Sequence, residues 1–306
     1  MAIYAMSDIH GCYGSFMRRI KQLNNLDSVK AGKDKLILVG DYIDGGNNSF
    51  KVLKTIYELQ QEVGADKMIV LMGNHDKWFL NFLEGKNDGW IYGFRSISVL
   101  ESFLDEKQIE GLNNIINKMN PGKTKSEKLV KYVRECLLKN HGDLIRWYKS
   151  LPLYYKTETQ IFVHAGVDEE AEDWWETGTS DEMFIEKYPP TKGKFYMDII
   201  AGHVSTSTAS GDKNLHDIYY DGKSHFFIDG VDSYPNGTRD DDRIIPVLVT
   251  GGTGSGDGRF YFSLREDGKT EIIAYIPPKD AKELDNYMTL PKEDLLNEIE
   301  KTICKF

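Results

Sequence analysis

Cysteine is scarce in this 306-residue chain: Cys12, Cys136 and Cys304 are the full set, and no CxxC pair occurs. An odd, widely spaced trio excludes a disulfide framework and points to a reducing, cytoplasmic setting. Long apolar runs are missing too. None approaches the roughly 20 residues that a bilayer-spanning helix needs. The short apolar segment Met1 to Met6 lacks the basic start and the long apolar stretch of a secretory signal. A soluble protein without a membrane partner is expected. Positive charge is in deficit, with 38 Lys and Arg against 48 Asp and Glu, a net charge of −10. That argues against a broad surface for nucleic acid or anionic lipid, which needs clustered cations. Phosphorylated substrates stay open, because metal ions supply positive charge locally.

Hydrophobic residues make up 40% and charged residues 28% of the chain, enough for a sizeable core, and 17 tyrosines and 14 phenylalanines favour strands. Short apolar runs predict buried strands at Ala2–Met6, Lys35–Val39, Lys67–Met72, Gln160–Val163, Tyr196–Ala201, His225–Ile228 and Ile244–Val249. Arg259–Leu264 and Glu271–Ile276 follow as strands joined by a turn at Glu266–Lys269. Three-to-four-residue apolar spacing predicts helices over Tyr13–Leu26 and Phe50–Val63, so the first 75 residues read as βαβαβ with parallel strands. From Trp78 to Leu151 helical patterns dominate, with a loop around Asn120–Lys125, and Lys292–Cys304 has the spacing of an amphipathic helix. The economical organisation is one domain over 1–306, with a helical insertion at about 78–151 and a C-terminal extension from about 277.

Five polar clusters each follow an apolar run: Asp8-Ile9-His10-Gly11, Gly40-Asp41-Tyr42-Ile43-Asp44, Gly73-Asn74-His75-Asp76, His164-Ala165-Gly166 and Gly202-His203. Ligands of α/β sheets bind at the carboxyl ends of strands, so the placement matters as much as the residue types. Each cluster alone has a blander account: Asp-x-His as a turn or cap, Gly-Asn-His-Asp as a surface turn, a single histidine as a satisfied structural group. Together they hold four of the seven histidines, at strand ends where polar groups are costly unless satisfied. Oxygen and imidazole donors without thiolate suit two divalent transition ions of the Mn, Fe or Zn type, with manganese the expected ion in vitro. A carboxylate such as Asp41 can bridge two ions, and such a pair clamps the attacking and leaving oxygens of an in-line displacement.

The blocks SDIHGCY, VGDYIDGG, MGNHD, FVHAG and AGHVS, with the approach WYKSLPLYYKTETQIFVHAG, resemble the calcineurin-like metallophosphoesterase superfamily. Within it they are most similar to the phosphoprotein (Ser/Thr) phosphatases and their bacterial relatives, including the diadenosine tetraphosphatases. The likeness covers roughly residues 1–80 and 147–230. It implies a four-layer α/β/β/α sandwich of two mixed sheets. It also implies one metal on Asp8, His10 and Asp41, and a second on Asp41, Asn74, His164 and His203. His75, oriented by Asp44, would protonate the leaving oxygen, and a metal-bound hydroxide would attack.

Three arginines of the resembled pattern are missing. Gly45 stands where Gly-Asp-x-x-Asp-Arg-Gly carries its arginine, Met72 precedes Gly-Asn-His, and Trp175-Glu176-Thr177 has none. Arg95, Arg239 and Arg243 are the candidate replacements. Other features read as structural: Gly251–Gly256 as a turn without the Lys-Ser/Thr of a P-loop, Asp240–Asp242 as a solvated loop, Trp174 and Trp175 as core, and Cys12 as a small buried residue. The leading expectation is a phosphomonoesterase similar to Ser/Thr protein phosphatases, acting on a phosphoprotein, nucleotide or small phosphoester. The alternative is a nucleotide pyrophosphatase, diadenosine tetraphosphatase-like, or a phosphodiesterase. A non-catalytic, metal-stabilised binding protein is a third reading, against which intact His75 and Asp44 argue.

Overall fold

Alternate residues of the central strands divide between two cores, and this period of two sets the architecture. The computed structural model describes residues 1–93, 95–118, 123–230, 243–252 and 258–276. Its strands are β1 (Ala2–Met6), β2 (Lys35–Leu38), β3 (Met68–Val70), β4 (Tyr154–Lys156), β5 (Gln160–Val163), β6 (Asp198–Ser205), β7 (Tyr219–Tyr220), β8 (His225–Asp229), β9 (Val247–Gly252), β10 (Arg259–Leu264) and β11 (Thr270–Ile276). One mixed sheet runs β11-β10-β9-β1-β2-β3, the other β4-β5-β6-β8-β7. β1, β2 and β3 are mutually parallel, as are β5, β6 and β8.

Ile37, Val39, Ile69 and Leu71, with Tyr261 of the same sheet, face Phe162, Ile200 and Phe226 of the other in the layer between the sheets. Their neighbours Leu36, Leu38, Met68 and Val70 point the other way, onto Phe16, Ile20, Val52, Leu53 and Ile56 of the flanking helices. On the far side Ile161, Val163 and Ile199 pack on Trp175, Phe184 and Ile185. The result is helix, sheet, sheet, helix: the expected four-layer sandwich. Each fully buried Leu, Ile or Phe in it contributes on the order of 1.5–3 kcal/mol.

The βαβαβ start is as expected, with helices Tyr13–Gln22 and Ser49–Val63 between the parallel strands. The first helix is shorter than its apolar spacing predicts. Asn24, Asn25 and Leu26 take positive φ, which breaks the helix after Gln22 although Leu23 and Leu26 stay in the core. β4 and β7, three and two residues long, escape a search for apolar runs. Helices Ser96–Phe103, Glu106–Lys118, Lys123–Asn140 and Gly142–Lys149 fill the middle of the chain. Val99, Phe103, Val133, Leu137 and Tyr148 from this stretch join the core outside the first sheet. Among the described residues no helix is long and apolar enough to cross a membrane. Lys292–Cys304, Arg239, Asp240–Asp242 and Thr253–Gly256 lie outside the described residues.

Candidate metal centre

Parallel pairing puts the carboxyl ends of β1, β2, β3, β5 and β6 at one edge, and the five polar clusters hang from it. Asp8 lies two residues past β1, Asp41 three past β2, and Asn74 opens the helix Asn74–Leu83 just beyond β3. His164 follows β5 directly. His203 differs from expectation. It sits inside β6, which runs on to Ser205, and it reaches the edge because the register with β8 shifts between Ala201 and Ser205. Two glycines permit the close approach: a Cβ on Gly73 would strike the Asp41 carboxylate, and one on Gly202 would strike Ser7 and Asp8.

All eight expected residues come together. Asp41 is central: its Oδ2 lies 3.4 Å from His164 Nε2, 3.5 Å from His10 Nε2 and 4.0 Å from His75 Nε2. Its Oδ1 accepts the His75 backbone N–H at 3.0 Å, which fixes which oxygen faces the imidazoles. Asp8 is built the same way, with Oδ2 accepting the His203 backbone N–H at 3.1 Å and Oδ1 lying 3.6 Å from His10 Nε2. Asn74 Oδ1 stands 2.9 Å from His164 Nε2 and 3.0 Å from His203 Nδ1. His75 Nδ1 is 2.6 Å from Asp44 Oδ2, beyond the buried group, and its side chain is 27% exposed.

The tautomers follow from the partners. A carbonyl only accepts, so His164 Nδ1–H donates to Val39 O at 2.8 Å, and His10 Nδ1–H to Ile43 O at 2.9 Å. Both rings therefore present Nε2 to the carboxylates, as metal-ligating histidines do when their other nitrogen is tied to a backbone oxygen. The backbone is strained to achieve this. Asp8, His10, Asp41, Asp44 and His203 are five of the nine described non-glycine residues with positive φ, a conformation costing on the order of 1–3 kcal/mol each. Among the described residues the ion-pair partners of Asp8 and Asp41 are histidines alone. His10, Asp41 and His75, and likewise Asp8, Asp41 and His164, bring ligand atoms within 4.8 Å of one another, and with Asn74 and His203 beside them these oxygen and imidazole donors fit divalent cations.

The electrostatics agree. Burial works to raise the Asp8 and Asp41 carboxyls, but for Asp8 the His10 contact and for Asp41 the His164 charge lead the opposing effects, and both end below the usual range. Burial works to lower His164, yet the Asp41 carboxylate outweighs it and pushes the ring up to about 10. The field that holds a proton there also attracts a divalent ion, and a ligating metal displaces that proton. His203 goes the other way, down to about 4, through burial and the neighbouring His164.

Asp76 and Tyr148 were not foreseen. Asp76 is fully buried and accepts the backbone N–H groups of Asp41 and Gly73 at 2.8 Å and of Tyr42 at 3.0 Å, together with the Tyr148 hydroxyl. It thus clamps the β2 and β3 loops against each other. The available signal was helical: an acidic residue at the third position of a helix reaches back to the N-cap N–H, here Gly73. Asp76→Ala strands three buried backbone donors and the Tyr148 hydroxyl at about 1–3 kcal/mol each, less any relaxation. It is expected to lower the unfolding free energy read from urea titration by several kcal/mol, and the midpoint with it, while Tyr148→Phe costs about 1 kcal/mol. Equal midpoints for wild type and Asp76→Ala would contradict the clamp.

Residues 1–228 match the profile of the calcineurin-like phosphoesterase family. The chain belongs to that family. Among curated relatives, this calcineurin-like phosphoesterase is 41% identical over 85 residues to the symmetrical bis(5'-nucleosyl)-tetraphosphatase of Nitrosospira multiformis, covering 28% of each chain. It is 24% identical over 203 residues to the protein of the same name from Nitrosococcus oceani, covering 66% of this chain and 55% of that one. The match thus spans from about a quarter to about half of these relatives' length. The solved cold-active protein tyrosine phosphatase of a psychrophilic Shewanella shares the fold at a TM-score of 0.51 and 15% identity, over 89% of this chain and 80% of that one.

The missing arginines leave identifiable environments in this calcineurin-like phosphoesterase. Met72 is buried in the core and Gly45 is half-buried at the site edge. Trp175 is core as expected, but Trp174 is 76% exposed, which corrects the core reading for that residue. Glu176 is held by Tyr154 and Lys156. Of the candidate replacements, Arg243 is buried and donates to Asp229 at 2.8 Å, so its charge is committed there. Arg95 lines a cleft that reaches His75 and Asp44.

Proposed function

We propose that this chain is a dinuclear-metal hydrolase of phosphoanhydride bonds in nucleotides, of the dinucleoside polyphosphate type. The observation that carries the hydrolytic reading is the His75–Asp44 pair at 2.6 Å, set at the solvent side of the buried carboxylate and imidazole group. A purely structural metal site has no need of a held, partly exposed imidazole. Asp8, His10 and Asp41 would hold one divalent ion, and Asp41, Asn74, His164 and His203 the second. When bound, such a pair supplies Lewis-acid polarisation of the phosphate and an acidified water. Asp41 and Asp8 keep their free oxygens aimed inward through the backbone N–H groups of His75 and His203. Asp44 accepts the His75 Nδ1–H and leaves Nε2 to give its proton. As water adds to phosphorus it releases one proton to solvent, the P–O bond to the leaving group breaks, its electron pair stays on the leaving oxygen, and that oxygen takes the His75 proton, which solvent then returns to the ring.

The substrate class is supported by the bis(5'-nucleosyl)-tetraphosphatase activity for which the curated relatives are named and by Gly45. A monoester dianion concentrates charge on three terminal oxygens, which arginine answers with a bidentate, permanently charged fork. An anhydride carries less charge per phosphorus and loses less without it. The protein-phosphatase-like reading lacks both supports. The test is kcat/KM with Mn²⁺ for diadenosine tetraphosphate, a phosphoserine peptide and p-nitrophenyl phosphate. The anhydride is expected to lead, and Gly45→Arg to shift the ratio towards p-nitrophenyl phosphate by about tenfold, the value of one charge-assisted contact. A wild type that prefers the phosphopeptide sinks the substrate assignment.

A further inference from the structure

The general acid of a hydrolase faces the leaving group, so the leaving oxygen sits at His75 Nε2, on the side of Asp41, and the remainder of the leaving group runs outward past the ring. There an open cleft of about 550 Å³ is walled by Asp44, His75, Trp78, Asn87, Trp90 and Arg95. Its volume is that of a site for a nucleotide-sized ligand, within the roughly 300–1,000 Å³ of small-molecule pockets. Trp78 packs on His75 with ring centroids 4.6 Å apart, and its indole N–H donates to Glu186 at 2.7 Å, which fixes the ring. Trp90 is buried in the same wall, and among the described residues its indole N–H has no acceptor. Arg95 is half-buried and ends the loop that leads into the helix Ser96–Phe103. Its backbone oxygen serves that helix by accepting from Val99 N–H and the Ser98 hydroxyl. The side chain can therefore be changed without removing these bonds.

We infer that this cleft binds the leaving half of the substrate, a nucleoside phosphate, with Arg95 on a phosphate of that half and the Trp78 indole beside its base. The inference rests on the reading of His75 as proton donor. Indole faces answer a flat ring, and a guanidinium answers a phosphate. A phosphoserine leaving group has neither. Arg95 is thus a specificity residue, distinct from the missing clamp on the attacked phosphorus.

The test uses the full chain with Mn²⁺ and three substrates: diadenosine tetraphosphate, p-nitrophenyl phosphate, and the p-nitrophenyl ester of thymidine 5'-phosphate. Only the first has a leaving group with phosphates of its own. Arg95→Ala is expected to raise KM for diadenosine tetraphosphate by about tenfold, one charge-assisted contact, and to leave the other two unchanged. Arg95→Lys should recover part of the loss. An equal loss on all three would put Arg95 on the attacked phosphate, and no loss on any would leave the cleft without this role. Either result overturns the inference. A second readout is independent of turnover: ADP should quench the tryptophan fluorescence of the wild type, and Arg95→Ala should weaken that binding. An ADP affinity unchanged by the substitution also overturns it. A wild type inactive on all three substrates would defeat the hydrolytic reading, and the ADP titration would still decide the cleft.

Discussion

Replacing His75 by asparagine is expected to lower kcat by about 10²–10⁴ on substrates with poor leaving groups, with metal content unchanged. Asparagine keeps the size and polarity of the site but cannot give a proton. The loss should shrink for p-nitrophenyl esters and for phosphoanhydrides, whose leaving oxygens hardly need one, and be largest for alkyl phosphoesters. The pH dependence adds a second check. Burial works to lower the His75 pKa, but the Asp41, Asp44 and Asp76 carboxylates outweigh it and push the ring up to about 9. Divalent ions held by Asp41 would offset part of that rise. The acid form is the active one, so kcat falls as pH rises through this pKa. Asp44→Asn removes one of the three raising carboxylates, Asp41, Asp44 and Asp76, and should move the basic limb to lower pH, and in His75→Asn that limb should vanish. A limb that persists in His75→Asn, or equal losses for good and poor leaving groups, would reject the acid role.

Asp41→Asn is expected to be at least as damaging. Its Oδ2 is shared by three imidazoles, and among the described residues no other carboxylate takes its central place. Loss of the shared carboxylate should remove at least one ion and several kcal/mol of charge stabilisation, on the order of 10³ or more in kcat/KM. The metal-free protein carries an independent signature. His164 is held protonated, up to about 10, chiefly by Asp41 acting against burial. In metal-free Asp41→Asn the ring should lose its proton at much lower pH, which histidine NMR reads directly. Full activity in this variant, or an unmoved His164 titration, would contradict the central place given to Asp41.

Much of this was legible in the sequence because each strand of the site announces itself twice, by an apolar run and by the polar residues that end it. Asp8, His10, Asp41, Asn74, His164 and His203 were all expected at one edge, and the structure brings them there. What escaped depends on three-dimensional contact. Asp76 looks like one more turn residue in MGNHD, and only the meeting of two loops gives its oxygens three backbone donors. Tyr148 is 72 residues away in the chain and finds Asp76 through helix packing. His203 was expected after its strand, but a register shift places it within one. Two tryptophans in sequence look alike, yet Trp175 is buried and Trp174 exposed, because Trp175 opens a short helix that packs on Phe184. The cleft beside His75 had no signature, since Trp78, Trp90 and Arg95 become neighbours only when the middle helices fold back on the first sheet.

The central claim, that one strand edge holds two divalent ions sharing Asp41, is tested most directly by titrating the metal-stripped full chain with Mn²⁺ and following its electron paramagnetic resonance. Two ions per chain are predicted, with the second altering the signal of the first through spin coupling at a separation of roughly 3.5–4 Å. A single ion, or two that never couple, would contradict the account.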